Sequence, residues 1–486
     1  MGLAQLKSPV VPEVVSPQKH LSQPSARFEI IISILERIAD LVAVMVAALL
    51  AYSAYTFLEV GRRLHYSTSS ILGTGFVFAV AFVILLDHQD AYKSANSLLR
   101  IRETERILRV CAQTFAITFS VTFFLSHSFS RWVVVIAAVL VPLLLVIEKQ
   151  LVFLTIRYLH TRGYGLQNVL VYGAGFTGRR VFSALVSSPK LGLNPVAVVD
   201  DNVQIVGQEI FQYGYKRERS APVIAGPVTG QLIRDWRASL VVVGIPSLPT
   251  QRLNEIAAAA FASGANVAFV PQLSFDTETS TEYVDLDGVL IASLAPAPRK
   301  FAYEESKRVF DFVASFFLLI STLPMWAILV VLIRLDSKGP AFFKQARVGR
   351  DGKLFDLYKF RSMRVDAAKF GLHPTDAKDP RVTRVGRWLR RSSLDELPQL
   401  INVLKGDMSL VGPRPEMPFV VETYNARHWQ RLKVTPGLTG LWQLSADRAF
   451  MIHENIQYDL YYIRNRNFFM DLAIMLHTAV FAMKGV

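Results

Sequence analysis

The sequence predicts a three-part architecture: a membrane α-helical bundle of four spans, a Rossmann-like α/β domain, and a mainly helical monotopic domain with a re-entrant membrane hairpin. Three observations carry this reading. Of 486 residues, 51% are apolar, yet 19% are charged and the net charge is +14. That balance fits a membrane anchor joined to soluble modules better than either alone. Four apolar runs crowd into residues 41–147, and alternating strand and helix patterns follow from residue 163. Beyond residue 300 come blocks dense in arginine, glycine and carboxylates.

Residues 1–28 hold Pro9, Pro12, Pro17 and Pro24 among Ser and Gln, which predicts a disordered tail. They lack the apolar core of a signal peptide. Residues 29–150 carry the spans, at 41–60, 70–86, 110–129 and 132–147, each near the roughly 20 residues that cross a bilayer. Lys7, Lys19, Arg27 and Arg37 precede the first span. Lys93, Arg100, Arg102, Arg106 and Arg109 lie between the second and third, and Lys149, Arg157 and Arg162 follow the fourth. The opposite loops carry only Arg62, Arg63 and Arg131. Positive residues stay inside, so both ends of the bundle are expected on the cytoplasmic side. The single cysteine, Cys111, excludes an intrachain disulfide framework and a cysteine-based zinc site. The positive excess suits anionic lipid, nucleic acid or phosphorylated substrates.

Residues 163–295 read as the α/β domain. Asn168–Tyr172 is a predicted buried strand, followed by Gly173-Ala174-Gly175-Phe176-Thr177-Gly178 and a helix to about Val186. Further strands are expected at Pro195–Val199, Leu240–Val243 and Asn266–Val270. Gly173, Gly175 and Gly178 are candidates for holding a nucleotide phosphate at a helix N-terminus, with Asp200 placed for a ribose. The same glycines also serve a tight turn and close packing alone. No Tyr-x-x-x-Lys pair follows, so dehydratase or epimerase chemistry has no support, and a regulatory or structural role is expected.

Residues 300–486 form the last domain. The apolar run Phe312–Leu335 is interrupted by Pro324, which removes a backbone donor. Lys307 and Arg308 precede it, and Arg334 and Lys338 flank its end. A helix–break–helix hairpin over 309–335, entering and leaving on one side, satisfies both features. Within Asp379–Arg391 the arginines recur at spacings of three and four. Ser392 and Ser393 are expected to cap a second helix, with Pro398 in its first turn and Gly406 as its stop. Its apolar stripe is Leu397, Leu400, Ile401 and Leu404. That places Asp395 and Glu396 at a helix start, near Gly412-Pro413-Arg414-Pro415. Acids there are also ordinary helix-dipole partners. Beside so many arginines, one carboxylate can hold a divalent cation while the other attacks phosphorus. Phe468–Met483 is expected to lie on the membrane as an amphipathic helix. Trp388, Trp429 and Trp442 read as core or interfacial aromatics, and the nine histidines show no metal-ligand spacing.

From Lys307 to Met483 a series of ordered blocks carries a resemblance. They are Lys307-Arg308-Val309-Phe310-Asp311, Phe342-Phe343-Lys344-Gln345, Arg347-Val348-Gly349, Tyr358-Lys359-Phe360-Arg361-Ser362-Met363, Ser393–Leu400, Gly406–Pro415, Pro436–Gln443, Asp459-Leu460-Tyr461-Tyr462 and Asp471-Leu472. The chain resembles the bacterial polyprenyl-phosphate hexose-1-phosphate transferases, the monotopic phosphoglycosyl transferases, in their long, undecaprenyl-phosphate glucose phosphotransferase-like form. The resemblance implies that 300–486 is the catalytic domain. Asp395 would attack the sugar-linked phosphate of a UDP-hexose and release UMP, and undecaprenyl phosphate would then take up the phosphosugar. Glu396 would hold Mg²⁺. Arg390, Arg414, Arg448, Lys359 and Arg361 would bind phosphate or order the site, and Asp459 and Asp471 would be supporting acids or salt-bridge partners. Inner-membrane lipid and no nucleic acid are the expected surroundings, with the catalytic domain on the cytoplasmic face; a homodimer is compatible with them. The pathway implied is exopolysaccharide or O-antigen synthesis, with glucose as the expected hexose. Two departures stand out: Leu323 replaces the usual Ser before the hairpin proline, and Ser445-Ala446-Asp447-Arg448 replaces the usual Ser-Gly-Arg. Rival classes are a nucleotide-sensing membrane scaffold and a sugar-nucleotide oxidoreductase or epimerase.

Overall fold

A computed structural model describes residues 5–7, 26–59, 66–89, 91–92, 100–124, 130–187, 192–213, 218–270, 279–286, 289–296, 300–365, 379–444 and 456–483. The chain divides into two compact units, 1–273 and 274–486.

The N-terminal unit opens with strand β1 (Gln5–Lys7) and four long helices, α1 (Ala26–Leu58), α2 (Thr68–His88), α3 (Arg100–Phe124) and α4 (Arg131–Thr161). Val44, Ala47, Ala79, Phe82, Val110 and Leu145 form their shared core, while Phe57, Val77, Ile84, Ile117 and Val139 face outward. Apolar residues on both faces suit a helix bundle solvated by lipid. Asp40 is wholly buried, and its charge is met by the Tyr92 hydroxyl at 2.6 Å and the Lys149 ammonium at 2.8 Å. Among the described residues, three helices are long and apolar enough to cross a membrane: Thr68–His88, Arg131–His160 and, in the second unit, Phe301–Asp336. The first two coincide with expected spans. The other two expected spans lie on α1 and α3, whose early turns carry Glu36, Arg37 and Asp40, and Arg100 to Arg109. Most of the expected tail, like Arg62, Arg63 and Lys93, falls outside the described residues, but β1 within it pairs antiparallel with β4 (Glu209–Tyr213).

The α/β domain comprises β2 (Gln167–Tyr172), α5 (Phe176–Ser187), β3 (Leu193–Asp200), β4, β5 (Glu218–Ala225), α6 (Gly230–Asp235), β6 (Leu240–Val243), α7 (Thr250–Ala262) and β7 (Asn266–Phe269). Its sheet runs β1-β4-β5-β3-β2-β6-β7, parallel from β5 to β7 with an antiparallel β4–β5 edge. Every expected strand is present. Buried Val169, Val171 and Val198 feed one face of the sheet, and Leu170, Tyr172 and Val199 the other, the alternation that helices on both faces require. Gly178 is compelled by proximity, since a Cβ there would lie 1.7 Å from the Gly173 carbonyl oxygen.

The C-terminal unit begins with the antiparallel hairpin β8 (Thr279–Leu286) and β9 (Val289–Pro296). The division at 273 therefore groups this hairpin with the second unit, whereas the expected α/β domain ran to 295. Helix α8 (Phe301–Asp336) leads into the hairpin β10 (Phe342–Val348) and β11 (Leu354–Phe360). Then come α9 (Arg384–Arg391), α10 (Gln399–Lys405), β12 (Ser409–Val411), the short α11 (Pro418–Val421) and α12 (Ala426–Trp429), β13 (Gly437–Thr439), α13 (Leu441–Leu444), α14 (Gln457–Asn465) and α15 (Phe468–Met483). The expected break at Pro324 does not appear as an interruption, and α8 is helical throughout its 36 residues. The Thr322 hydroxyl donates to the carbonyls of Leu318 at 2.7 Å and Leu319 at 3.2 Å, so a hydroxyl one residue before Leu323 services this stretch. Residues on both sides of Pro324 pack on the domain. Arg308 donates to the Val403 and Leu404 carbonyls, and Asp311 accepts the Leu410 N–H. Trp326, Leu329 and Ile333 join Phe360 and Leu389 in one cluster. Phe316, Phe317, Leu318, Ile320 and Leu323, between them, are exposed. Helix α15 buries Met470, Ala473 and Ile474 fully in the domain and leaves Leu476 and Val480 outside.

Candidate active site

Asp395 and Glu396 sit on a 3₁₀ turn, Leu394–Glu396, between α9 and α10. This corrects the expected helix start. Ser392 closes α9, its hydroxyl donating to the Trp388 carbonyl at 2.9 Å, and Ser393 takes a left-handed conformation with φ 56°. Pro398, without an N–H, then immediately precedes α10. Gly406 terminates α10 with φ 93°, as its position predicts.

Helix α9 is fixed from both sides. Thr383 accepts the Gly386 N–H at 3.0 Å and Asp336 the Val385 N–H at 2.8 Å, satisfying two orphan donors of the first turn. Gly386 leaves no room for a side chain, because a Cβ would come within 2.0 Å of the Ser362 carbonyl oxygen. Leu389 is buried, while Arg384, Arg387, Trp388 and Arg391 share the exposed face. Trp388 is thus an exposed aromatic among arginines and not a core residue.

The two carboxylates have different surroundings. Glu396 accepts from Lys359 at 2.7 Å and Arg414 at 3.1 Å, both on Oε1. Asp395 is 7% exposed, and no hydrogen bond or ion pair among the described residues holds its carboxylate. Burial pushes Asp395 above the usual carboxylate range; Lys359 opposes that shift and the charge of Glu396 adds to it. Burial would also raise Glu396, but Lys359 and Arg414 hold it well below the usual range. Environments that separate two neighbouring carboxylates in this way give them separate roles. Arg390 lies close enough for its charge to favour the ionised form of Asp395.

Arg414 is carried on a Gly-Pro-Arg-Pro turn locked by backbone contacts. Gly412 N–H donates to Thr439 at 2.9 Å, and Gly437 N–H to Pro413 at 2.8 Å. A Cβ on Gly437 would stand 2.0 Å from the Gly412 nitrogen. The Val348 N–H donates to Glu416, tying β10 to the same turn.

Several expected site residues lie elsewhere. Arg361 does not face the carboxylates; its guanidinium donates to the carbonyls of Ser337 at 2.6 Å and Lys338 at 3.1 Å, closing the C-terminus of α8. A cation there offsets the negative helix end. Asp459 is buried against Arg431 at 2.9 Å. Asp471 accepts from Tyr303 at 2.6 Å, Lys307 at 2.8 Å and Tyr462 at 2.8 Å, clamping α15 to the start of α8. Both acids are therefore structural partners. Arg448 lies outside the described residues. Pro324 is remote from the carboxylates in sequence and sits within exposed apolar helix. In the α/β domain, Gly173 adopts φ 105° and Asp200 turns onto the glycine loop, Oδ2 accepting the Ala174 N–H at 2.6 Å and Oδ1 the Asn202 N–H at 2.8 Å. Sequence reasoning missed Arg431, whose buried guanidinium also donates to the Arg414 carbonyl at 2.8 Å. No local signal marks it, since its partners Glu416 and Asp459 lie far along the chain.

No group of three or more potential ligand side chains among the described residues could by itself cage a metal ion. Mg²⁺, however, is commonly held by one or two carboxylates with substrate phosphates and water. Adjacent Asp395 and Glu396 fit that donor set.

Comparison with known proteins places this domain in a family. Residues 302–485 match the family described as bacterial sugar transferase, and residues 87–259 match one described as a CoA-binding domain. "Undecaprenyl-phosphate glucose phosphotransferase" of Komagataeibacter xylinus is 42% identical over 35% of this chain, and that match spans only 35% of the relative's length. "UDP-glucose:undecaprenyl-phosphate glucose-1-phosphate transferase" of Klebsiella pneumoniae is 27% identical over 92% of this chain and 94% of its own. "Uncharacterized sugar transferase EpsL" of Bacillus subtilis (strain 168) is 42% identical over 35% of this chain and 84% of its own. The turn with its two unlike carboxylates lies inside residues 302–485, and the chain belongs to the bacterial sugar transferase family.

Proposed function

We propose that this protein transfers hexose-1-phosphate from a UDP-hexose, with glucose as the leading candidate, to undecaprenyl phosphate. The observation that carries the proposal is the contrast within the dyad: Glu396 is clamped by Lys359 and Arg414, while the Asp395 carboxylate is buried and unpaired. An unpaired carboxylate beside three cationic side chains suits attack on a phosphorus whose charge those cations neutralise. A carboxylate oxygen of Asp395 bonds to the sugar-linked phosphorus as the bond to the bridging oxygen breaks, and UMP leaves. An oxygen of the lipid phosphate then attacks the same phosphorus, the bond to Asp395 breaks, and a polyprenyl diphosphate sugar forms. Glu396, with substrate phosphate oxygens, would hold Mg²⁺, which supplies charge neutralisation when bound. The name of the Klebsiella relative supports this donor and acceptor, and that of the Komagataeibacter relative supports the acceptor and glucose.

A re-entrant α8 belongs to the same reading. If straight, the helix would extend about 54 Å and leave its two ends on opposite sides of a bilayer. Contacts from both sides of Pro324 to one domain support a helix that returns. The dyad then works at the cytoplasmic face of the inner membrane, where nucleotide sugars are made, to begin an exopolysaccharide or O-antigen.

The test is to incubate purified protein with undecaprenyl phosphate, Mg²⁺ and a panel of UDP-sugars, and to follow UMP. One UDP-sugar should give turnover that chelation by EDTA stops; silence across the panel removes the proposal. A pH profile adds a second test. Asp395 must be ionised to attack, so activity should fall with pH through its raised pKa while Glu396, held low, remains charged. Glu396→Gln removes the like charge and should move the residual activity's acid limb to lower pH. A limb unmoved in that variant would separate it from Asp395.

A further inference from the structure

Among the arginines of the C-terminal unit that hold their guanidinium groups against protein, Arg308, Arg361 and Arg431 each have an evident counterpart. Arg308 meets the carbonyls of Val403 and Leu404 at the end of α10, at 2.6 and 2.9 Å. Arg361 closes α8, and Arg431 pairs with Asp459 and Glu416. A helix C-terminus or a carboxylate offsets a buried positive charge. Arg347, on β10, closes no helix end and makes no direct ion pair with a carboxylate among the described residues. It is 6% exposed, its terminal nitrogens donate to the Pro415 carbonyl at 3.2 Å and the Gln345 side-chain oxygen at 2.9 Å, and its Nε has no hydrogen-bond partner. Among the described residues it forms no ion pair.

Its position gives that imbalance a meaning. Pro415 adjoins Arg414, the residue that clamps Glu396, and β10 is joined to this turn by the Val348–Glu416 bridge. Burial, together with the neighbouring Arg414, pushes the Arg347 pKa down to about 10. Glu416 and Glu396 oppose that shift, but Glu416 is already paired with Arg431 and Glu396 with Lys359 and Arg414, so neither carboxylate is left over for Arg347 alone.

We infer that Arg347 is a phosphate-binding residue whose counter-ion is the substrate itself. It supplies, beside Arg414, the charge that receives phosphate oxygens from the nucleotide sugar or from the polyprenyl phosphate. The inference deepens the phosphoryl-transfer reading and rests on it. It also predicts a sign that a purely structural arginine would not give: removing the charge relieves the free protein and weakens only the ligand-bound state.

The experiment compares thermal unfolding of the full-length protein and its Arg347→Met and Arg347→Lys variants, free and with UMP, inorganic diphosphate or a short-chain polyprenyl phosphate. R347M should unfold at or above the wild-type temperature when free and lose most of the ligand-induced rise. KM for the affected substrate should increase roughly ten- to a hundredfold, the loss of a charge-assisted bond, with a smaller change in kcat. The arm whose shift collapses, nucleotide or lipid phosphate, names the source. R347K should keep part of the shift. A lowered free unfolding temperature in R347M, with ligand shifts intact, overturns the inference. If R347M does not fold, R347K decides: raised KM with kcat held supports the inference, and unchanged KM overturns it. Absence of UMP release by the wild type would sink the reaction instead, while the shift with inorganic diphosphate would still read Arg347.

Discussion

Asp395→Asn should abolish UMP release, lowering turnover by about 10³-fold or more, because an amide cannot form the phosphoenzyme bond and the adjacent Glu396 is held by Lys359 and Arg414. Asn has nearly the same shape, and the Asp395 carboxylate makes no hydrogen bond that the substitution would break among the described residues. Folding should be intact and thermal stability equal or higher, since burial of this carboxylate is opposed in the native state. Mass spectrometry of wild-type protein given UDP-sugar without lipid acceptor should find one phosphosugar adduct on Asp395, released by added undecaprenyl phosphate. Full activity in the variant, or an adduct elsewhere, would end the nucleophile assignment.

Arg431→Met should have the largest effect on stability. The side chain is almost wholly buried and joins Asp459, Glu416, Tyr424 and the Arg414 carbonyl. Removing one partner strands two acids, at a cost of about 3–5 kcal/mol. Chemical unfolding should show this loss, and the surviving folded fraction should have a lower kcat because the Arg414 turn is no longer held. The double replacement Arg431→Met with Asp459→Leu should recover part of the stability, since an apolar pair can substitute for a buried ion pair. A single variant as stable as wild type would contradict this account of the network.

Local signals proved readable in the sequence, and distant pairings did not. Gly406 ends α10 and the strand at Asn168 leads into a glycine turn, because each of these acts within one turn of chain. The resemblance implied phosphate-binding roles for Lys359 and Arg414, and only the fold shows that both side chains meet Glu396. Arg361 was misassigned because a helix-closing arginine and a phosphate-binding one have the same letters nearby; only the return of β11 past the end of α8 decides between them. Asp459 and Asp471 were ambiguous for the same reason, with partners Arg431 and Lys307 that no spacing rule connects. The dyad was placed on a helix start, whereas left-handed Ser393 and Pro398 enforce a tighter turn that brings Asp395 inward.

Asp200 in the α/β domain has already given both carboxylate oxygens to backbone N–H groups, one of them in the glycine loop. Any anion approaching the Ala174 N–H must displace a carboxylate already hydrogen-bonded there and tethered to the same chain. Exchanging Asp200 for Ala is the change that would free that N–H.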